Sequence, residues 1–388
     1  MTDSVDHPLV DVIIAVHNPA RPIARAVASV LRHTSSDVRV TVVCHNTDRA
    51  GIAANLREFA DDPRLRLLEH RDDIASPSGP FNAGLDAATG SFSAIMGSDD
   101  ELAPGAVDSW VRVQKRDAAS MVIPRLAHAT GEGVATPPVR PFRTRRLDPV
   151  RDRLAYRSAP LGLVSRSRLG DVRLATGSGT GEDNAYSLRV WFSGEPISFD
   201  IAGPVYLIHD DARDRVTFAV RSIAKELHFL EALLDATFIS ALSGRGRAAV
   251  VVKLIRIHIF GAVYNRRDAP EWDAADLSDL EAMARRIIAI APDAVRVLSR
   301  ADRDLLDEVM LGAEGSASRL AQLARDRRRF LRPAAVLPRS VRHTFAREAP
   351  LRMLASSWLV RRAAGESHVP GTSHSRPSAR TGRSSPSL

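Results

Sequence analysis

The feature that most restricts how this chain can fold is a regular alternation of short apolar runs and helical stripes over its first 125 residues. Val10–Val16 is an apolar run with a single early acid. Such a run, lacking polar alternation, predicts a strand buried on both faces. Ile23, Val27, Val30 and Leu31 then fall on one stripe behind Pro22, which predicts a helix. Further strands are predicted over 38–43, 65–68, 92–96 and 121–123. Helices are predicted over 52–59, over 82–88 with Gly90 as C-cap, and over 102–114 with Pro104 in the first turn. A β-α-β-α order of this kind implies a mostly parallel sheet covered by helices.

The pattern loosens afterwards. Residues 131–141 form a loop of Gly, Pro and Thr, continued by basic residues at 143–146, and 160–168 reads as a short strand and turn. Residues 177–181 form a Gly/Ser/Thr loop, followed by Glu182, Asp183 and a helix over 184–192. Composition turns helical over 217–242, with more helices expected over 248–264, 276–290 and 302–311. The expected organisation is an α/β domain over 1–215, a helical region over 216–365 and a tail over 366–388, whose Ser, Arg, Pro, Gly and His have nothing to bury.

Composition excludes several classes. Cys44 is the only cysteine, so an intramolecular disulfide and a Cys-based metal cluster are ruled out. It reads as a small hydrophobe ending a strand. The N-terminus is acidic and polar, so no signal peptide is expected. The longest apolar stretch, 248–264, is broken by Lys253, Arg256 and His258, so no transmembrane helix is expected. These features point to a cytoplasmic protein, with room for attachment at the inner face of the plasma membrane. The net charge is +8, concentrated in an Arg-rich stretch from Arg325 to Arg383. Such charge attracts nucleic acid, anionic lipid or phosphorylated substrates. Clustered aromatics of an RNA platform are missing, which argues against nucleic acid. Leu351, Leu354, Trp358 and Val360 fall near one side of a helix bordered by Arg352, Arg361 and Arg362. That helix either packs on the α/β domain or lies, apolar face down, in an anionic membrane surface.

In a parallel α/β sheet, ligands bind beyond the carboxyl ends of the strands. His17 and Asn18 follow strand one, Cys44 to Asp48 follow strand two, and Gly97, Ser98, Asp99, Asp100 and Glu101 follow strand four. Adjacent carboxylates repel unless a cation or solvent screens them. Hard oxygen ligands suit Mg²⁺ or Mn²⁺, which would also hold a diphosphate. The same acids could instead cap the next helix. Glu182 and Asp183 have both readings too: site carboxylates, or acids in a helix's first turn. A Rossmann dinucleotide site is excluded, because HNPARP after strand one contains no glycine. The 177–181 loop lacks the Lys-Ser/Thr of a P-loop.

Two blocks carry a resemblance. Residues 12–18 read VIIAVHN, and residues 81–107 read FNAGLDAATGSFSAIMGSDDELAPGAV. Both resemble the family 2 glycosyltransferases of GT-A fold, with spacing kept from Asn82 to Pro104 and a likeness spanning about residues 8 to 210. The resemblance implies transfer of a sugar, with inversion, from a nucleoside diphosphate sugar to an acceptor hydroxyl. It implies Asp183 as catalytic base and Asp99 with Asp100 as metal ligands. It implies His209 as a further contact to metal or diphosphate, although a lone His is often structural. Ala15, His17, Asn18, His45, Asn46, Asn82, Ser98 and Glu182 would bind substrate. The implied partners are the nucleotide-sugar donor and a glycan or lipid-linked acceptor. Three positions depart from the family: Cys44-His45-Asn46 where an Asp usually reads the base, Gly97 at the first metal Asp, and Phe81 before the helix Asn. They leave a second reading open, a catalytically inactive GT-A domain that binds a nucleotide or glycan.

Overall fold

The computed structural model describes residues 7–177, 181–211, 221–268 and 272–364. Its first half is β1 (Val10–Val16), α1 (Ile23–Leu31), β2 (Val38–His45), α2 (Arg49–Asn55), β3 (Leu65–His70), α3 (Ser78–Ala87), β4 (Phe92–Gly97), β5 (Glu101–Leu102), α4 (Ala106–Asp117), β6 (Met121–Pro124), β7 (Leu126–His128) and β8 (Gly133–Val134). β9 (Leu163–Ser165), α5 (Arg166–Leu169), α6 (Asp183–Trp191), β10 (Ile197–Asp200) and β11 (Tyr206–Ile208) follow. The main sheet has the order β10-β6-β9-β4-β1-β2-β3. Strands β4, β1, β2 and β3 run parallel, as do β10 and β6, while β9 is antiparallel to both neighbours. A smaller sheet, β5-β11-β7-β8, flanks it. This is an α/β fold of GT-A type, and the parallel centre lies where the apolar runs predict it.

β1 shows why its sequence has no polar alternation. Val10, Val12, Ile14 and Val16 pack into one core with α1 and α4, while Ile13 enters the opposite core with Leu85 and Trp191. Asp11 is buried too, held by Arg39 at 2.7 Å and by the amides of Thr89 and Gly90.

Three boundaries differ from expectation for tertiary reasons. α3 starts at Ser78, not 82, and Gly90 is not a left-handed cap. Gly90 lies against β1, where a Cβ would meet the Pro8 carbonyl at 2.8 Å. α4 starts at Ala106, not 102, because Glu101 and Leu102 pair antiparallel with β11, which leaves Pro104 ahead of the helix. β2 runs on to His45, which stands in register with His70.

The helical part comprises α7 (Ile223–Asp235), α8 (Thr237–Ala241), α9 (Gly244–Leu254), a π turn (Ile255–Ile259), α10 (Phe260–Asn265), α11 (Ala274–Ile290), α12 (Arg300–Val309), α13 (Ala317–Asp326), α14 (Pro333–Val336) and α15 (Pro350–Ala363). Its own apolar core takes Leu227, Leu230, Val251, Ile255 and Phe260, and reaches Leu188 of α6. The unbroken helix from Gly244 to Asn265 is long and apolar enough to cross a membrane by length and composition, contrary to expectation. In this fold it is a central core helix, with 61% of its apolar window buried. The one-sided apolar stripe expected on α15 does not form: Val360, about 180° around the axis from Leu351, joins the core beneath the sheet, whereas Trp358 is 47% exposed. Arg153 donates to the Arg347 carbonyl at 2.8 Å and to Ser356 Oγ at 3.1 Å, tying α15 and the turn before it to the α/β domain. The expected helical residues 217–220 and the expected tail lie outside the described residues.

Candidate active site

The carboxyl ends of β1, β2 and β4 open onto one cavity of about 1060 Å³. Ala15 and His17 border it from β1, His45 and Asn46 from β2, and Ser98 and Asp99 from the turn after β4. Glu182 and Asp183 face it from the start of α6, and α7 and α10 complete the wall with Phe229, Gly261 and Arg266. The fold thus gathers eight of the expected site residues around one space. Asn18, Asn82, Asp100 and His209 lie outside its lining. Asn18 accepts the Ala20 amide at 2.9 Å and shapes the entry to α1. Asn82 clamps Leu174 through two main-chain hydrogen bonds of 2.9 and 3.0 Å, anchoring the segment that leads to Glu182. In the same helix Gly84 lies against Ile13, where a Cβ would come within 2.3 Å. Two residues of the FNAGL block therefore seat α3.

The three consecutive acids diverge. Asp99 turns to the cavity and pairs with Arg21 at 2.9 Å. Asp100 turns inward, accepting the Tyr206 hydroxyl at 2.6 Å and the His209 amide at 3.3 Å. Tyr206 in turn accepts the Gly97 amide at 3.0 Å. A Cβ on Gly97 would stand 2.5 Å from the Asp100 carboxylate, so the absence of a side chain at 97 and the inward Asp100 go together. Glu101 meets the His209 ring at 3.1 Å. Among the described residues no group of three or more His, Cys, Asp or Glu is arranged to hold a metal ion.

At the opposite wall, Gly181 has a left-handed φ of 74° and lies against Phe229 of α7, where a Cβ would come within 2.6 Å of the ring. This contact sets the start of α6 against the helical region. Glu182 is 8% exposed, and burial pushes its carboxyl up to about 7. Burial also pushes the Asp183 carboxyl up, opposed by the charge of Lys253. A buried carboxylate with a raised proton affinity, facing a cavity, is suited to accept a proton.

Residues 11–172 match the model of glycosyl transferase family 2. Over that segment, less than half of the chain, the protein is similar to that family. Succinoglycan biosynthesis protein ExoO of Rhizobium meliloti is 34% identical over 116 residues, which cover 30% of this chain and 32% of that protein. A GalNAc(5)-diNAcBac-PP-undecaprenol beta-1,3-glucosyltransferase of Campylobacter jejuni is 29% identical over 107 residues, covering 27% and 34%. The chain thus aligns with about a third of the length of these relatives. The structure of S. aureus TarS 1-349 with UDP-GlcNAc is similar over 83% of this chain and 92% of that one, at TM-score 0.63 and 15% identity, a likeness of fold.

The end of β3 also supplies the site, although it was not among the expected site residues. The strand-end rule, applied there, points to His70, Arg71, Asp72 and Asp73. Asp72 binds His45 at 2.8 Å, His70 at 3.1 Å and the Asn46 amide at 3.2 Å. Burial pushes the Asp72 carboxyl up, but hydrogen bonds from His45, the Ile74 amide, Asn46 and His70 outweigh it and hold the group below the usual range. Asp73 lines the cavity beside Asn46. A carboxylate missing after strand two is thus present one strand over, locked to His45 and Asn46. Arg21 was also missed. No motif marks it, because it reaches Asp99 from the turn before α1.

Proposed function

We propose that the protein transfers a sugar from a nucleoside diphosphate sugar to an acceptor hydroxyl, with inversion at the anomeric carbon. The observation that carries this reading is that Asp183 lines one cavity with the strand-end residues of β1, β2 and β4, which fall in the segment that matches family 2. The acceptor oxygen attacks the anomeric carbon as the bond to the diphosphate breaks. Asp183 takes the acceptor's proton. The base binds near His45, Asn46 and Asp73, and the ribose and diphosphate lie toward His17, Ser98 and Asp99. The donor held by TarS and the undecaprenol named in the Campylobacter relative motivate a uridine diphosphate sugar and a lipid-linked glycan as the substrate classes to test first.

Asp99 presents one hard oxygen ligand to the cavity, which suits Mg²⁺ or Mn²⁺ bound mainly through donor phosphates and water. Such an ion would offset charge on the leaving diphosphate, while Arg21 orients the Asp99 carboxylate. Peripheral membrane contact is part of the proposal. Phe330, Leu331, Val341, Phe345 and Trp358 are exposed in an Arg-rich stretch, a combination that favours an anionic bilayer surface on the cytoplasmic side.

The test is a panel of nucleotide sugars, each with a lipid-linked glycan acceptor and with and without Mn²⁺, read by calorimetric binding and by nucleoside diphosphate release. Turnover that Asp183→Asn removes, with donor binding kept, supports the reading. Binding without turnover in the native protein identifies an inactive GT-A domain, and no binding at all refutes both.

A further inference from the structure

Behind Asp183 runs a line of buried polar groups that the transfer step does not touch. Asn184 Nδ2 donates to Asp183 Oδ1 at 3.1 Å and to the Gly181 carbonyl at 3.0 Å. Asn184 Oδ1 accepts from Lys253 Nζ, which also donates to His258 Nε2 at 2.9 Å. Lys253 is 1% exposed, and a lysine is rarely buried so fully without polar partners.

The chemistry of the ammonium fixes the rest. It has three donors and no lone pair. The Asn184 amide must therefore turn its oxygen to Lys253, which leaves its N–H groups for Asp183 and Gly181. With the shorter contact, from Lys253, as the hydrogen bond, His258 Nε2 accepts and the neutral ring carries its proton on Nδ1, so its 3.3 Å approach to Asn184 Oδ1 holds no hydrogen bond. Phe229 holds that ring edge to face, with centroids 5.0 Å apart. An ordinary α-helix would set residues 253 and 258 about 140° apart around its axis. The π turn at Ile255–Ile259 brings them to one side.

We propose that Lys253 is a positioning residue for Asp183, acting through the Asn184 amide, so that the helical region aims the base supplied by the α/β domain. The proposal rests on the reading of Asp183 as base. Lys253 stays an ammonium throughout, and the acceptor's proton goes to Asp183. The groups facing this carboxylate are Lys253, His258 and Asn184 from behind and Glu182 from the same turn, with Arg221 acting on Glu182. Burial alone favours the protonated carboxyl, and the Lys253 charge opposes it. Burial lowers the proton affinity of Lys253 itself, and Asp183 opposes that in turn.

Carbon-13 NMR of the full chain tests this without requiring turnover. The Asp183 carboxyl signal is assigned by its loss in Asp183→Asn. In Lys253→Met its titration midpoint should rise by about 1–3 pH units. In Asp183→Asn, which keeps the side-chain shape, the Lys253 Cε midpoint should fall by a similar amount. Where the native protein turns over donor, Lys253→Met should lower kcat by about ten-fold or more with donor KM within about two-fold. Midpoints unmoved in both variants would overturn the proposal. If Lys253→Met does not fold, the Asp183→Asn arm decides alone. A native protein inert toward every nucleotide sugar would refute the reading of the base, while the titrations still report on Lys253.

Discussion

The two walls of the cavity are built differently. The strand-end wall is placed by the backbone: β1, β2, β3 and β4 pair in parallel register, and each site residue lies at or just beyond the end of its strand. The helical wall is placed by side chains: Lys253 on Asn184, Arg266 on Glu226, and Phe229 under Gly181. A ladder of many main-chain hydrogen bonds tolerates loss of any one side chain. A buried polar chain does not, because the partner left behind is unsatisfied. Substitutions on the strand-end wall should therefore alter chemistry with the fold intact, and those at the seam with the helices should alter stability and chemistry together.

The largest expected effect lies at that seam. Asp183→Asn should lower kcat by about 10²–10⁴-fold, with donor affinity kept in calorimetry. A rate within a few-fold of the native protein would shift the base to Glu182. Next comes the strand-end wall: Asp99→Ala should cost about 10²–10³-fold in turnover and abolish any response to Mn²⁺. Its thermal midpoint should move by only a few degrees. A variant that loses its fold instead would erase the distinction between the walls.

A smaller effect sharpens the comparison through pH. Glu182 has its carboxyl raised from 4.5 to about 7 by burial. The folded state then holds a proton that the unfolded state has released, so stability falls as pH rises from 4.5 to 7 and stays lower above that. Glu182→Gln should therefore stabilise the protein by on the order of 1–3 kcal/mol at pH 8 and by almost nothing at pH 4. Urea unfolding at both pH values checks this. A gain equal at both would mean that burial of the charge is not the cause.

The smallest effect concerns the surface beyond both walls. Full-length protein should sediment with anionic vesicles at low salt, each Arg near the surface contributing about 1 kcal/mol. The double variant Leu331→Ser, Phe345→Ser should weaken this several-fold and leave turnover of a soluble acceptor unchanged. Truncation before Pro333 is a poorer test, since it strips Arg153 of the Arg347 and Ser356 partners. Native protein left wholly in the supernatant would end the membrane reading.

Sequence periodicity by itself determined the parallel centre of the sheet. A strand buried on both faces must be apolar at successive positions, and that pattern depends on no distant residue. The strand-end rule with the VIIAVHN and FNAGLDAATGSFSAIMGSDD blocks located the cavity, because backbone geometry carries those residues to one edge. Tertiary structure decided the rest. Asp99, Asp100 and Glu101 are chemically alike in sequence, and only the arrival of Tyr206 and His209 beside them separates their directions. Lys253, Arg256 and His258 looked like mere interruptions of an apolar helix. Lys253 and His258 face Asn184 from 69 and 74 residues away, and Arg256 reaches Asp302 and Tyr156. A buried charge takes its meaning from its partner, and contacts between residues so far apart in sequence leave no periodic trace.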